Sequence, residues 1–255
     1  MLRSIVRECR RQFNMAKFRK LKCLKNRHHG ERAVIVCNGP SLNRMDLGFL
    51  RNEIVIGLNK IFLGFEEFDF YPNYYVAVNR KVIEQSVSQI KSMDCVKFIS
   101  YSSSDLIPSD DLTYYVQTER PIDRFSRDIS QGVHEGWTVT YVALQIAYYL
   151  GFKEIIIIGM DHRYEYTGAP NESRKMSGPD YNHFSPDYFR GQTWDNPDLF
   201  HSEESYRIAR AEFEKDGRRI IDATLDGACT VFEKADYREV FGLNVTLLPT
   251  SSSFS

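Results

Sequence analysis

Short polar motifs follow several apolar runs of this sequence, at the points where buried strands would end. The first run leads into Asn38-Gly39-Pro40-Ser41, the second into Asn59 and the third into Asn79. Amides and a hydroxyl recognise a base, a ribose or a phosphate by hydrogen bonds, and glycine lets a ligand approach the backbone. The motifs therefore predict a nucleotide-binding site, although a simple turn and helix-capping asparagines are the structural alternative.

A second group of polar residues follows the apolar run 154–159. Asp161 comes first, and Arg163, Tyr164 and Tyr166 come after it. A ligand phosphate needs donors, which Arg163 and the tyrosines could supply, as could the amino end of a helix beginning near Thr138. These residues extend the predicted site across two separate parts of the sequence.

Standard nucleotide and metal motifs do not occur in the sequence. It contains neither a G-x-x-x-x-G-K-[ST] loop nor a G-x-G-x-x-G fingerprint, which disfavours a P-loop enzyme and an ordinary dehydrogenase. It also lacks Asp-x-Asp, H-E-x-x-H and any close Cys/His cluster, so we predict no metal site.

The elements that would position these residues alternate between strands and helices. Apolar runs predict strands at 33–37, 54–58, 74–78, 96–100, 154–159 and 219–223, and periodicity predicts helices at 137–150, near 203–216 and around 232–240. This alternation predicts an α/β fold, a doubly wound and mainly parallel Rossmann-like sheet with helices on both faces. The aperiodic stretch 161–201 is expected to form a lid at the carboxyl ends of the strands, where ligands of such sheets bind.

Composition and charge limit the classes of protein. The 255 residues are 42% hydrophobic with a net charge of −1, which fits one globular domain and disfavours a nucleic-acid partner. The five cysteines form no Cys-x-x-Cys pair, which indicates a reducing, cytoplasmic location. We expect a domain at 31–245, a basic N-terminal segment at 1–30 and a Ser-rich tail at 246–255.

Residues 1–32 hold seven Arg, four Lys and two Glu, so basic charge is concentrated at one end. Apolar residues recur there at three- and four-residue steps, which predicts a basic amphipathic helix. Such a helix could attach peripherally to an anionic membrane, on the inner face of the plasma membrane, or could dock on its own domain. Both alternatives stay open at this point.

Four segments together resemble a known family: VCNGPSLNRMDL, IGLNKIF, AVNRKVIEQ and ALQIAYYLGFKEIIIIGMDHRY. They are similar to the MptE-like domain of 6-hydroxymethylpterin diphosphokinases and to the related bacterial lipooligosaccharide sialyltransferases, which use CMP-sialic acid. The resemblance covers about residues 33–240, with the segments in the same order.

The resemblance implies roles for single residues. By analogy with the sialyltransferases, Asn38, Gly39, Ser41 and Asn59 would contact the CMP donor, with Asn79 beside them. A pair of lid tyrosines, placed here on Tyr164 and Tyr166, would hold the departing phosphate. The sequence departs from the pattern at 136–140, where those enzymes have Thr-Ser-Gly, and this leaves the identity of the sugar open.

The resemblance also places a general base on His201, because a histidine near the end of the lid has that role in the sialyltransferases. An imidazole titrating near neutral pH suits removal of a hydroxyl proton. The alternative is that His201 merely begins a helix. His162 and His183 could contact a phosphate or a metal, although each alone is more often structural.

The leading hypothesis is therefore a glycosyltransferase of surface-glycan synthesis that moves a nonulosonate such as sialic acid from a CMP donor to a glycan or glycolipid acceptor, with no obligatory cofactor. One alternative is diphosphate transfer from ATP to a hydroxymethylpterin, with Mg²⁺ bound by Asp161 and lid acids. Another is a nucleotide-binding scaffold without turnover. The lid's aromatic residues could cover either a ligand or a second subunit in a homo-oligomer.

Overall fold

Short strands make up the centre of the fold in the computed structural model, which describes residues 18–119 and 124–243. The described strands are, in chain order, β1 (Arg32–Val36), β2 (Val55–Leu58), β3 (Tyr74–Ala77), β4 (Val96–Ser100), β5 (Thr113–Val116), β6 (Thr118–Glu119), β7 (Val133–His134), β8 (Glu154–Ile158), β9 (Ser173–Lys175), β10 (Thr193–Asp195), β11 (Arg219–Asp222) and β12 (Glu233–Lys234). Eight of these form one sheet in the order β12-β11-β8-β1-β2-β3-β4-β5. All of its pairings are parallel. This confirms the predicted α/β class and sheet type.

Helices cover both faces of this sheet. The α-helices are α1 (Phe65–Phe68), α2 (Arg80–Glu84), α3 (Val87–Ser92), α4 (Val139–Leu150), α5 (Leu199–Lys215) and α6 (Tyr237–Val240). Short 3-10 helices lie at Arg19–Leu24, Pro40–Arg44, Gly48–Asn52, Ile61–Gly64, Tyr101–Ser103 and Ile129–Gln131. The remaining connections are loops, and β9 pairs antiparallel with β10 within the lid region.

Alternate residues of the central strands face two different hydrophobic cores. On β8, Ile155 and Ile157 belong to the core beneath α4 and α5, whereas Ile156 and Ile158 belong to the core on the opposite face. Successive side chains of a strand point to opposite faces, so an uninterrupted isoleucine run requires cover on both sides. Helix α4 is apolar almost all round for the same reason, since it is enclosed between the sheet and α5.

Two parts of the predicted pattern are wrong. The segment 232–240, predicted as one helix, begins as the edge strand β12 and becomes helical only from Tyr237 to Val240. Strand β5 was not predicted, although Thr113–Val116 pairs with β4 along its full length. Both are short edge strands, and local periodicity over two to four residues cannot show that they pair with the strand before them.

The sheet changes direction of winding between β1 and β8. From β1 the chain proceeds through β2, β3, β4 and β5 on one side, and later returns to place β8, β11 and β12 on the other. Loops leaving the carboxyl ends of β1 and β8 therefore diverge to opposite sides and leave a crevice between them. The motifs around Asn38 and Asp161 follow these two strands.

The described part of the N-terminal segment packs against the domain. Phe18, Leu21 and Leu24 are buried in the core that contains α4. The backbone N–H of Asn26 donates to Tyr149 O at 3.0 Å, and that of His28 donates to Leu150 O at 2.8 Å. Residues 18–30 are thus part of the domain, and the boundary predicted at residue 30 does not separate two packing units.

Other predictions for the two ends of the chain concern residues that lie outside the described ranges. Residues 1–17 hold most of the predicted amphipathic helix, and residues 246–255 are the predicted tail; neither is included in the described ranges. Within those ranges, no helix is long and apolar enough to cross a membrane.

Because Leu24 is fully buried beside α4, its truncation should destabilise the whole domain. We expect Leu24→Ala to lower the free energy of unfolding by about 2–5 kcal/mol, measured by urea denaturation. The exposed neighbour supplies a control, and Lys25→Ala should change the same quantity little. Equal stability of the two variants would contradict the packing described for this segment.

Candidate functional site

A cleft of about 680 Å³ opens at the carboxyl ends of the central strands. This volume lies within the usual range for ligand pockets. Its wall combines the ends of β1, β2 and β3, the amino end of α4, and the lid. The polar and aromatic residues on it include Asn38, Asn59, Asn79, Arg80, Lys81, Trp137, Thr138, His162, Tyr164, Asn171, His183, Tyr188, Asp195, Asp198 and Tyr206.

Asn38 and Asn59 each carry a side-chain oxygen that is buried and has no hydrogen-bond partner. They follow β1 and β2, which are neighbours in the sheet, and both line the cleft. A buried acceptor without a partner costs about 1–3 kcal/mol, and such atoms are rare in folded proteins. A ligand that donates from hydroxyl or amino groups would satisfy both oxygens.

The loops after β1 and β8 approach each other closely behind this pair. Gly39 donates its N–H to Gly159 O at 2.8 Å. A Cβ at Gly39 would come within 1.9 Å of Asp161 Oδ2 and 2.7 Å of the backbone oxygen of Gly159, so any other residue would displace this contact. The glycine here serves the contact between two loops of the protein.

Asp161 is directed at Ser41 and away from the cleft. Its carboxylate accepts from the Ser41 N–H at 3.0 Å and from the Ser41 hydroxyl at 2.6 Å. Burial raises the pKa of Asp161, and the two hydrogen bonds from Ser41 oppose that rise. Pro40 begins the adjoining 3-10 helix. The structure therefore places Pro40, Ser41 and Asp161 behind the cleft wall, where they link two loops, and does not bring them to its surface.

Asn79 and Thr138 both cap helices, and for Asn79 this is the structural alternative named above. Asn79 Oδ1 accepts from the Lys81 N–H at 2.9 Å at the start of α2. Thr138 Oγ1 accepts from the Thr140 N–H at 3.3 Å at the start of α4. Capping does not remove them from the site, because both line the cleft.

The lid places the three predicted phosphate-binding residues in different surroundings. Tyr164 lies on the cleft wall, and burial raises the pKa of its hydroxyl. Tyr166 lies outside the wall and donates its hydroxyl to Pro197 O at 3.2 Å. Arg163 is exposed and also lies outside the wall. The structure thus brings Tyr164 to the cleft but not Arg163 or Tyr166.

A buried lysine that the sequence interpretation missed fixes the lid to the sheet. Lys60 follows Asn59 and is 2% exposed. Its ammonium group donates to Tyr188 O at 2.7 Å, to Gln85 Oε1 at 2.8 Å and to Gln192 Oε1. Burial lowers the pKa of Lys60 to about 8, while Asp180 works in the opposite direction. A charged residue within the apolar stretch GLNKIFLGF was the available signal.

Three histidines around the cleft are each paired with a carboxylate. His201 Nδ1 lies 2.8 Å from Asp198 Oδ2, and His183 Nδ1 lies 2.9 Å from Asp180 Oδ2. His162 Nε2 lies 3.1 Å from an oxygen of Glu203. Burial lowers the pKa of His162 despite that hydrogen bond, which favours its neutral form. The sequence interpretation named the histidines but not their partners.

The two His–Asp pairs differ in position. His183 lies on the cleft wall and stacks on Tyr188 with the ring centroids 4.0 Å apart. His201 is at the rim: its side chain is 38% exposed and its partner Asp198 lines the cleft. Burial works to raise the pKa of Asp198, but hydrogen bonds from His201 and Asn171 outweigh it and hold that pKa below the ordinary value. An ionised Asp198 accepts a hydrogen bond from Nδ1 of His201, so Nε2 is left to accept a proton from a substrate.

The chain is thus a parallel α/β domain with a cleft at the point where its strand order reverses. The sequence profile of the family described as 6-hydroxymethylpterin diphosphokinase MptE-like matches residues 9–167, more than half of the chain. The chain belongs to this MptE-like family, which confirms the resemblance noted in its motifs.

One solved structure with a similar fold is the MAf glycosyltransferase from Magnetospirillum magneticum AMB-1. The match has a TM-score of 0.53 at 12% sequence identity, and it covers 88% of this chain and 38% of that one. The comparison with curated proteins gives no match. At this identity the similarity establishes a shared fold, and the chain spans well under half of the larger protein.

Metal ligands are not grouped in the described part of the chain. Across residues 18–119 and 124–243, no three His, Cys, Asp or Glu side chains come together as a metal site would require.

The lowered pKa of Lys60 predicts a pH-dependent contribution to stability. The unfolded chain keeps this proton up to the ordinary value of 10.5, whereas the folded protein releases it near 8. Between these values the unfolded state binds more protons, so the free energy of unfolding should rise with pH relative to that of Lys60→Met. Urea denaturation of both proteins at pH 7.5 and pH 9.5 measures the difference, with the exposed Lys81→Met as control. A constant difference would contradict a depressed pKa.

Proposed function

We propose that this protein is a glycosyltransferase of surface-glycan synthesis. It transfers a sugar, specifically a nonulosonate such as sialic acid, from a CMP-activated donor to a hydroxyl of a glycan or glycolipid. Support comes from membership of the MptE-like family and from a fold shared with a protein described as a glycosyltransferase. The observation that carries the proposal is the pair of unpartnered amide oxygens in the cleft, on Asn38 and Asn59.

These two oxygens favour the nucleoside end of the donor. Both are acceptors, so they select a ligand part rich in donors, such as ribose hydroxyls or the exocyclic amino group of cytosine. Asn38 and Asn59 lie at adjacent strand ends, which suits neighbouring groups on one nucleoside. Tyr164 on the lid side of the wall would then meet the phosphate, with its neutral hydroxyl donating to the leaving oxygen.

His201 supplies the base in this proposal. Its Nε2 takes the proton from the acceptor hydroxyl, and that oxygen forms the new bond to the anomeric carbon. The bond from that carbon to the phosphate oxygen breaks, and CMP leaves with the electron pair. Asp198 orients the ring and stabilises the imidazolium that results. We expect no obligatory metal, and activity should persist in a chelator.

A second candidate is diphosphate transfer from ATP to a hydroxymethylpterin, which the description of the family favours. That reaction needs Mg²⁺ against the triphosphate, held through one or two carboxylates. Asp161 would have to exchange its two hydrogen bonds with Ser41 for the metal. A nucleotide-binding scaffold without turnover is the non-enzymatic alternative.

A thermal-shift panel, followed by a turnover assay with sugar donors, separates the three functions. CMP, CDP, UDP, GDP and ATP are each added with and without Mg²⁺. Stabilisation by CMP that does not need metal supports the glycosyltransferase, and stabilisation by ATP only with Mg²⁺ supports the diphosphokinase. Binding of a nucleotide without turnover of any sugar donor would favour the scaffold.

A lipid-linked acceptor would also predict where the enzyme is located in the cell. A cytoplasmic enzyme acting on a lipid-linked glycan would gain from a basic segment that binds anionic membrane, and residues 1–17 hold four Arg and one Lys. Their removal should weaken binding to anionic liposomes, most strongly at low salt, as cosedimentation would measure.

The asparagine pair predicts a loss of nucleotide affinity on substitution. Asn38→Ala or Asn59→Ala should weaken CMP binding by about 1–3 kcal/mol, because each removes an acceptor of a ligand hydrogen bond. Isothermal titration calorimetry measures it, and Asn52→Ala at an exposed site is the matched control. Unchanged affinity in both variants would remove this donor site.

A general-base role for His201 predicts a specific effect on kcat. His201→Ala should lower kcat by about 10²–10⁴-fold with little change in CMP affinity, because the proton removed belongs to the acceptor. If His183→Ala has this effect and His201→Ala does not, the base is His183.

A further inference from the structure

Trp137 is exposed at the mouth of the cleft although its backbone is held in an unfavourable conformation. Its φ is +63°, in the left-handed region that bulky residues rarely adopt. The side chain lines the cleft and is 44% exposed. A residue that is strained and leaves its apolar ring in water contributes little to stability, and such residues concentrate where a ligand is bound.

A rigid part of the domain holds the ring in place. Gly136 has a φ of +55°, and a Cβ on it would come within 2.1 Å of the Tyr141 ring. Tyr141 is fully buried in the core, and Thr138 caps the helix that follows. The indole therefore projects from the fixed start of α4, and its position does not depend on the lid.

The surroundings of Trp137 connect it to the proposed base. The centroids of its indole and of the His201 imidazole are 5.1 Å apart, with their planes inclined by 31°. Phe200 directly precedes His201 and is 69% exposed, and its ring centroid lies 5.2 Å from that of the imidazole. A ring seated on the indole would thus lie next to His201.

The two asparagines proposed to bind the CMP donor lie on a different part of the cleft wall. Asn38 and Asn59 follow β1 and β2, whereas Trp137 precedes α4. The two parts meet where Cys37 Sγ lies 3.5 Å from Thr140 Oγ1. Two substrates bound at these places would be neighbours without competing for the same groups.

We propose that Trp137 is the platform of the acceptor subsite and binds a pyranose ring through its apolar C–H face. Stacking covers the exposed indole and leaves the hydroxyls at the edge of the sugar free, so that one of them can reach His201. This inference rests on the proposed glycosyltransferase function, and it assigns the acceptor as a saccharide whose terminal ring is recognised by an aromatic surface.

Saturation-transfer NMR tests the subsite without requiring turnover. The probes are methyl glycosides of glucose, galactose and N-acetylgalactosamine, with 6-hydroxymethylpterin as the rival flat ligand. We expect at least one glycoside to receive saturation at its C–H protons from the natural protein and from Trp137→Phe. Trp137→Gly should abolish that signal. If no glycoside binds, or if the pterin alone binds, the proposal is wrong.

Trp137→Gly also tests the strain, because glycine adopts a positive φ without penalty. It should melt at the same temperature as the natural protein or higher, so loss of glycoside binding cannot be attributed to unfolding. A clear fall in melting temperature would show that the indole serves the fold, and would overturn the proposal.

Kinetics and calorimetry distinguish failure of this inference from failure of the proposed function. With a CMP-sugar donor, Trp137→Gly should raise the KM for the acceptor by about threefold to tenfold, the size expected for one aromatic contact, and leave CMP affinity unchanged. Equal loss of CMP affinity would place Trp137 in the donor site and refute the subsite. Glycoside binding through Trp137 without any transfer from CMP donors would refute the proposed reaction and leave the subsite standing.

Discussion

The contact between the loops that leave β1 and β8 is the constraint on which the site depends. These strands are neighbours in the sheet at the point where the strand order reverses. Their loops touch where they leave the strands and then continue to opposite sides. Gly39 bonds to Gly159, and the carboxylate of Asp161 binds the N–H and the hydroxyl of Ser41. Since a Cβ at Gly39 has no space, the contact fixes the path of the chain that carries Asn38.

Anchoring of the lid depends on a buried charge. Burial removes water from the ammonium group of Lys60, which donates instead to three oxygen acceptors. Two of these acceptors belong to the lid. The pKa of Lys60 is lowered because these acceptors do not fully replace the lost hydration of the charged form. The ammonium group also lies 4.3 Å from the centroid of the Phe189 ring. An apolar residue there could pack, but it could not specify which backbone carbonyl of the lid lies above the end of β2.

The cleft carries several features that lower stability in the absence of a ligand. The amide oxygens of Asn38, Asn59 and Asn196 are buried without partners, and an exposed indole is held on a left-handed backbone. Each is a local cost that the two hydrophobic cores must offset. These costs occur together on one surface, which is the pattern expected where selection acts on binding as well as on stability.

Apolar runs and their order along the chain are sufficient to predict the sheet and the edge that carries the polar motifs. Runs such as EIIII are typical of inner strands of a covered parallel sheet, and the rule that ligands bind at the carboxyl ends then locates Asn38, Asn59 and Asn79. The start of α4 near Thr138 and its end at Leu150 were also predictable, because helix ends depend on residues a few positions apart.

Which polar side chains face the cleft depends on contacts between distant parts of the chain. Ser41 and Asp161 are 120 positions apart, and their hydrogen bond turns both away from the surface. Arg163 and Tyr164 are adjacent, yet one is exposed and the other lies on the cleft wall. The direction of a loop side chain follows from irregular backbone angles and distant partners, which no sequence period encodes. For the same reason the exposure of Trp137 and the burial of Lys60 appear only in the folded chain.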